Sequence, residues 1–219
     1  LSGTLTSLGQ ALSVNSGELN LSGSAATVTN FTQSGGTLTG VSGLTVTGQS
    51  TLSGGTMSGV GTTVLEGPST LAGYGLDSGS ILENRGVMTW TAGTFELNNL
   101  STGGAGRFDN AVGAVLDAQG NNTVSATGFF DVNLLPGFPV FNNAGTFRKS
   151  AGNGTTSVST VFNNTGLVEV LTGTLNLRGG GTSSGDFTGA AGATLQFGGG
   201  THDLDANVGI TTANTTFSS

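Results

Sequence analysis

The single histidine of the chain stands in Gly198-Gly199-Gly200-Thr201-His202-Asp203-Leu204-Asp205, beside two carboxylates. On an extended strand Asp203 and Asp205 share a face, because side chains alternate with period two. Such oxygens suit calcium or, together with the imidazole, zinc. A calcium-binding nonapeptide repeat, however, needs glycine where Thr201 stands and an apolar residue where Asp205 stands, and it must recur to build paired half-sites. Neither condition is met. His202, Asp203 and Asp205 are therefore expected to form a solvated strand end, with no metal and no cofactor.

Carboxylate chemistry is the second candidate. Glycoside cleavage needs two carboxyl groups roughly 5 to 10 Å apart, and lyase chemistry needs acidic calcium ligands with a basic proton acceptor. The acidic residues here stand nearly singly along the chain. Folding would have to bring together Asp109 and Asp117, or Asp186 and a neighbouring coil, and the expectation is that the chain is not an enzyme.

Threonine pairs recur at Thr4/Thr6, Thr27/Thr29, Thr37/Thr39, Thr45/Thr47 and, around Trp90, Thr89/Thr91. Ladders of outward threonines on a flat face resemble ice-binding surfaces. Threonine is also a good strand former, and Glu18/Asn20 and Thr56/Ser58 interrupt the pattern, so ice binding is a minor alternative. The segment Phe129 to Phe141 is the densest apolar stretch and holds Pro136 and Pro139. Proline cannot donate to a central ladder, which predicts a loop near 129–140 that leaves the fold. Exposed, its Phe130, Leu135 and Phe138 would offer a partner contact; folded back, which is the expected arrangement, they cover the body.

The elements that must position these residues follow from composition. Of 219 residues 41 are glycine and only 3 proline, and charged residues make up 8 %, against about 25 % in ordinary globular domains. The glycines lack the Gly-X-Y period of collagen. Val, Leu, Thr and Phe recur throughout, unlike a disordered chain. Five basic residues and a net charge of -7 leave no basic stripe for phosphates, so nucleic acid is not an expected partner. Without cysteine there is no disulfide or thiolate site. No apolar run approaches the roughly 18 residues of a membrane span. No charged-then-apolar leader opens the chain at Leu1, which reads as a mature protein or an excised segment.

A turn glycine, a small polar residue and a large apolar one recur as Gly3-Thr4-Leu5, Gly17-Glu18-Leu19, Gly36-Thr37-Leu38, Gly55-Thr56-Met57, Gly93-Thr94-Phe95, Gly145-Thr146-Phe147 and Gly173-Thr174-Leu175. Several neighbours lie roughly 19 residues apart, the length of one solenoid coil. A second version carries asparagine: Leu82-Glu83-Asn84-Arg85-Gly86, Phe141-Asn142-Asn143-Ala144-Gly145 and Phe162-Asn163-Asn164-Thr165-Gly166. Phe108-Asp109-Asn110-Ala111-Val112-Gly113-Ala114-Val115 reads as the same unit with one residue inserted.

Short alternating strands between glycine turns bury their apolar side chains only when coils stack. The expected fold is all-β, a right-handed parallel β-solenoid with coils of about 19–21 residues. Leu5, Leu19, Leu38, Met57, Phe95, Phe147, Val168, Leu175 and Leu195 are its expected core ladders. Asn84, Asn110, Asn143 and Asn164 are its turn asparagines, able to adopt left-handed backbone and to bond one above another. At roughly 19 residues per coil and about 4.8 Å per rise, some eleven coils would make a rod on the order of 50 Å long. One solenoid is expected over 1–219, with Thr/Ser/Gly-rich coils over 1–80 and Asn/Phe/Gly-rich coils over 81–219.

The Phe-Asn-Asn-x-Gly segments, followed by Gly173-Thr174-Leu175-Asn176-Leu177 and Gly192-Ala193-Thr194-Leu195-Gln196-Phe197, resemble the repeats of bacterial surface proteins of the filamentous-haemagglutinin and autotransporter type. The resemblance covers about residues 80 to 205. It implies a right-handed β-helix outside the cell, serving adhesion, aggregation or envelope structure. Expected partners are the chain itself, by axial stacking of open coil ends, or other surface proteins or glycans. The chief alternative is a polysaccharide-active or glycan-binding β-helix.

Overall fold

The computed structural model describes residues 7–23, 25–40, 42–98, 104–128 and 138–218. Among these, all regular structure is strand, and every ladder between strands is parallel. No helix is long and apolar enough to cross a membrane. The chain winds as a β-solenoid of about ten turns.

Each full coil contributes three strands. A first column runs from Ala26–Val28 to His202–Leu204 and holds nine strands. A second column runs from Ala11–Val14 to Ile210–Thr211, and a third from Glu18–Asn20 to Asn214–Ser218. Strands Asn30–Thr39 and Ser50–Ser58 serve both of the latter by bending at paired glycines. The bend requires glycine: Gly36 has φ of 66°, and a Cβ there would lie 2.5 Å from the carbonyl oxygen of Gly17 one coil away.

The early coils keep a strict period, with Ala11 paired to Asn30 and Ser50 to Ser69. Farther on, Val87 pairs with Val115 and Val115 with Thr146. Residues spent between strands here add no coil, which is why about ten turns form where uniform coils would give eleven. The insertion after Asn110 is two residues, not one: Asn110 pairs with Asn143 and Val115 with Thr146. It places Val112 at the tip, 85 % exposed.

One apolar core runs from Val14 to Phe197. Leu38, Met57, Phe95, Phe147, Val168, Leu175 and Leu195 are buried, and Leu19 is half-buried against them; Leu5 lies outside the described residues. They belong to different ladders. Leu19, Leu38, Met57, Leu76 and Leu97 stack in the third column. Phe95 stacks on Tyr74 instead, two residues out of register with that series. Leu175 and Leu195 continue from Thr156. Leu116, Phe147, Val168 and Phe187 form a second-column ladder. In the first column Phe108, Phe141 and Phe162 stack edge to face, with centroids 5.0 Å apart at each step. Such pairs add about 0.5–1.5 kcal/mol each beyond burial.

Asn84, Asn110, Asn143 and Asn164 end their first-column strands with the side chain inward and buried. Each amide nitrogen donates to the amide oxygen of the next: Asn84 to Asn110 at 2.9 Å, Asn110 to Asn143 at 2.8 Å, Asn143 to Asn164 at 2.8 Å. The same nitrogens also donate to the carbonyls of Val115, Thr146 and Leu167. Left-handed backbone is not the reason for these asparagines, since the only described non-glycine residue with positive φ is Ser78. Hydrogen bonding along the stack is.

Candidate functional site

Outward positions form ranks along the axis, because successive coils pair in register. On the first column Glu83, Asp109, Asn142 and Asn163 follow one another. Asn142 donates to Asp109 at 2.8 Å and Asn163 to Asn142 at 3.0 Å, while Thr182 donates to Asn163 at 3.2 Å. Glu83 and Asp109 each hold an arginine from their own coil, Arg85 at 2.7 Å and Arg107 at 2.9 Å. The Glu83 hydrogen bond, then its charge, raises the Arg85 pKa above its ordinary value.

The second column carries Ser13, Thr32, Thr51, Thr70 and Thr89 outward in unbroken register. Its rank continues as Asp117, Arg148 and Glu169, with Arg148 2.6 Å from Glu169. Threonine pairs on the other faces are shallow. Thr27 meets Thr45, but Thr45 meets Val64; Thr37 meets Thr56, but Thr56 meets Gly75. Thr4 and Thr6 lie outside the described residues.

Asp109 and Asp117, the pair that carboxylate chemistry would have needed, stand on different columns. Asp109 projects from the first column and Asp117 from the second. Asp186 caps a turn by accepting the Gly209 N–H at 2.8 Å. What register does pair is Glu83 with Asp109. His202 turns its ring toward Phe197, 5.1 Å between centroids, and bonds the Gly199 carbonyl at 2.9 Å, whereas Asp203 is exposed. Strand alternation thus separates the imidazole from its neighbour, and among the described residues no three metal-ligating side chains converge.

Phe130 and Leu135 lie outside the described residues. Phe138 is 50 % exposed and lines a cavity of about 280 Å³ with Pro139, Ser159, Thr160 and Val161.

Three features escape sequence reading. Lys149 is buried between Ala118 and Val170. Its ammonium donates to the carbonyls of Gly120 and Ala151 at 2.9 and 3.0 Å, with no carboxylate partner among the described residues, and burial lowers its pKa. Alignment of Thr146-Phe147-Arg148-Lys149 with Leu167-Val168-Glu169-Val170 would have shown it pointing inward. Tyr74 is also buried, its hydroxyl bonded to the buried amide of Gln33, and burial raises its pKa well above the ordinary value. The third is a polar cavity of about 300 Å³ near the last coil, lined by Asn176, Arg178, Gln196, Gly198, Gly199 and Ser218.

Fold and surface together define a parallel β-solenoid with ranked polar faces. No family model, no curated protein and no solved structure matches the chain.

Proposed function

We propose that the chain is an extracellular structural or adhesive module of a bacterial surface protein or filament, working through its long side faces. The observation that carries this reading is the hydrogen-bonded outward rank from Asp109 through Asn142 and Asn163 to Thr182. Side chains that hold one another along the axis present a fixed lattice of donors and acceptors, so a partner meets little ordering cost. Many weak contacts at a regular spacing then sum by multivalency.

End-to-end stacking belongs to the same reading. Among the described residues, His202–Leu204, Ile210–Thr211 and Asn214–Ser218 pair on one side only. Phe217 lies 68 % exposed, stacked 5.0 Å from Phe197. Unpaired strand edges are templates for further pairing.

Electron microscopy of the purified chain at several concentrations tests this. Filaments whose axial repeat matches the rod support a structural polymer; isolated rods that coat cells or immobilised glycans support an adhesive module. Rods that do neither defeat the proposal. The carbohydrate-active alternative rests on the register pair Glu83 and Asp109. Saccharide cleavage by the wild type that is lost in Glu83→Gln would establish it instead.

A further inference from the structure

Three of the four arginines are in ion pairs: Arg85 with Glu83, Arg107 with Asp109 and Arg148 with Glu169. Arg178 has no such partner among the described residues and stands exposed one position beyond Leu177, which pairs with Phe197. The corresponding positions in the next coils are Gly198 and Ser218. Glycine there leaves the flank of the guanidinium uncovered, and this is where the 300 Å³ cavity opens.

The other walls are neutral hydrogen-bonding groups. Ser157, Asn176, Gln196 and Thr216 follow one another outward along the third column. Gln196 donates to the Ser218 hydroxyl at 3.0 Å, which fixes its amide. The Asn176 amide oxygen is buried beside Gly198 with no hydrogen-bond partner among the described residues, a cost of about 1–3 kcal/mol. Among the described residues no carboxylate lines the cavity. In a chain with net charge -7, an unneutralised arginine among amides and a hydroxyl selects an anion with polar neighbours.

We infer that Arg178, Asn176, Gln196 and Ser218 form a binding site for a carboxylate that carries adjacent hydroxyl groups. Arg178 takes the carboxylate, for which its planar fork is suited. The Asn176 amide nitrogen, the Gln196 amide and the Ser218 hydroxyl take the ligand hydroxyls, while the Asn176 oxygen stays buried beneath Gly198. The volume matches a single sugar-sized molecule, at the small end of ligand cavities. A free hydroxy acid and an acidic sugar within a polymer share this chemistry. The site is local to the last coils and does not depend on adhesion or stacking.

The test is calorimetric titration of the whole chain with D-glucuronate, D-glucose and a glucuronate-containing oligosaccharide, in wild type, Arg178→Gln and Gly198→Ala. Binding of glucuronate is expected, with glucose and the Arg178→Gln variant each weaker by about tenfold or more, the worth of one charge-assisted contact. Gly198→Ala should also weaken it, because a Cβ there would lie 2.6 Å from the Asn176 amide oxygen. A monomer that binds as tightly as the oligosaccharide assigns a free acid; an oligosaccharide that binds tighter assigns a polymer. No heat with either acid at 10 mM, on the order of the weakest useful affinity, overturns the site. So does glucuronate binding that Arg178→Gln leaves unchanged. Arg178 is exposed, so that variant tests the site without threatening the fold.

Discussion

In the coils before Ser80, the last inward position of the first column is filled by Val28, Val46 and Leu65; in the four coils after it, by Asn84, Asn110, Asn143 and Asn164. The backbone is the same and the register continues from Leu65 directly to Asn84. What changes is how the interior is satisfied. Apolar side chains need only contact, so each coil is independently acceptable. Buried amides need partners, and in this column the neighbouring coils supply them by carrying the same residue. The polar choice is therefore made as a block. The flanking ladders differ in the same sense: Leu44 meets Thr63 in the early coils, whereas Phe108, Phe141 and Phe162 interlock in the later ones.

The contrast predicts where each half is fragile. Phe141→Ala should cost about 3–5 kcal/mol, because its ring touches Phe108, Phe147 and Phe162. Urea denaturation should place it above Leu44→Ala; equal costs would show that the halves are held alike. Next, Asn143→Ala leaves the Asn110 nitrogen without its amide acceptor and the Asn164 oxygen without its donor, at about 1–3 kcal/mol for each group left unpaired. Replacing all four asparagines by valine, the residue of the early coils, should cost less than that single change. If the fourfold variant is the worse, the block interpretation fails.

A third, smaller effect concerns charge. The folded state binds the Lys149 proton more weakly than the unfolded chain does, because burial lowers its pKa. Between that lowered value and the ordinary lysine value of about 10.4 the unfolded chain binds more protons, so stability should rise with pH. Melting curves across this window should show the rise in the wild type and a flatter line in Lys149→Met. The smallest change is expected on the outward rank, where Thr51→Ala should alter stability by no more than about 0.5 kcal/mol.

Much of this arrangement is legible in the chain. The echo of Thr32-Gln33-Ser34-Gly35-Gly36-Thr37-Leu38 in Thr51-Leu52-Ser53-Gly54-Gly55-Thr56-Met57 gives the nineteen-residue coil and its register directly. It also places Gln33 opposite Leu52, yet nothing local shows that Tyr74, two coils on, reaches that amide. Phe95 shares the Gly-Thr-apolar motif with Met57 but stacks two residues away, because the strand Tyr74–Asp77 between them offsets the count. The carboxylates were harder. Whether Asp109 meets Asp117 or Glu83 depends on which column each occupies, and that requires the insertion lengths. The cavity at Arg178 depends on Gly198 and Ser218, one and two coils farther along the chain.

The asparagine column also has a sense. The amides of Asn84, Asn110 and Asn143 each donate toward the higher-numbered coil, and none of the four donates back. Turning one amide over would set oxygen against oxygen on one side and nitrogen against nitrogen on the other, so the four can reverse only together. Aligned dipoles polarise one another and strengthen each link. The column behaves as a single oriented unit with an accepting end, where the Asn84 oxygen takes the Gly86 N–H, and a donating end, where the Asn164 nitrogen has no acceptor among the described residues. A fifth asparagine in place of Ser183, which pairs with Asn164, would lengthen that unit by one member without altering its direction.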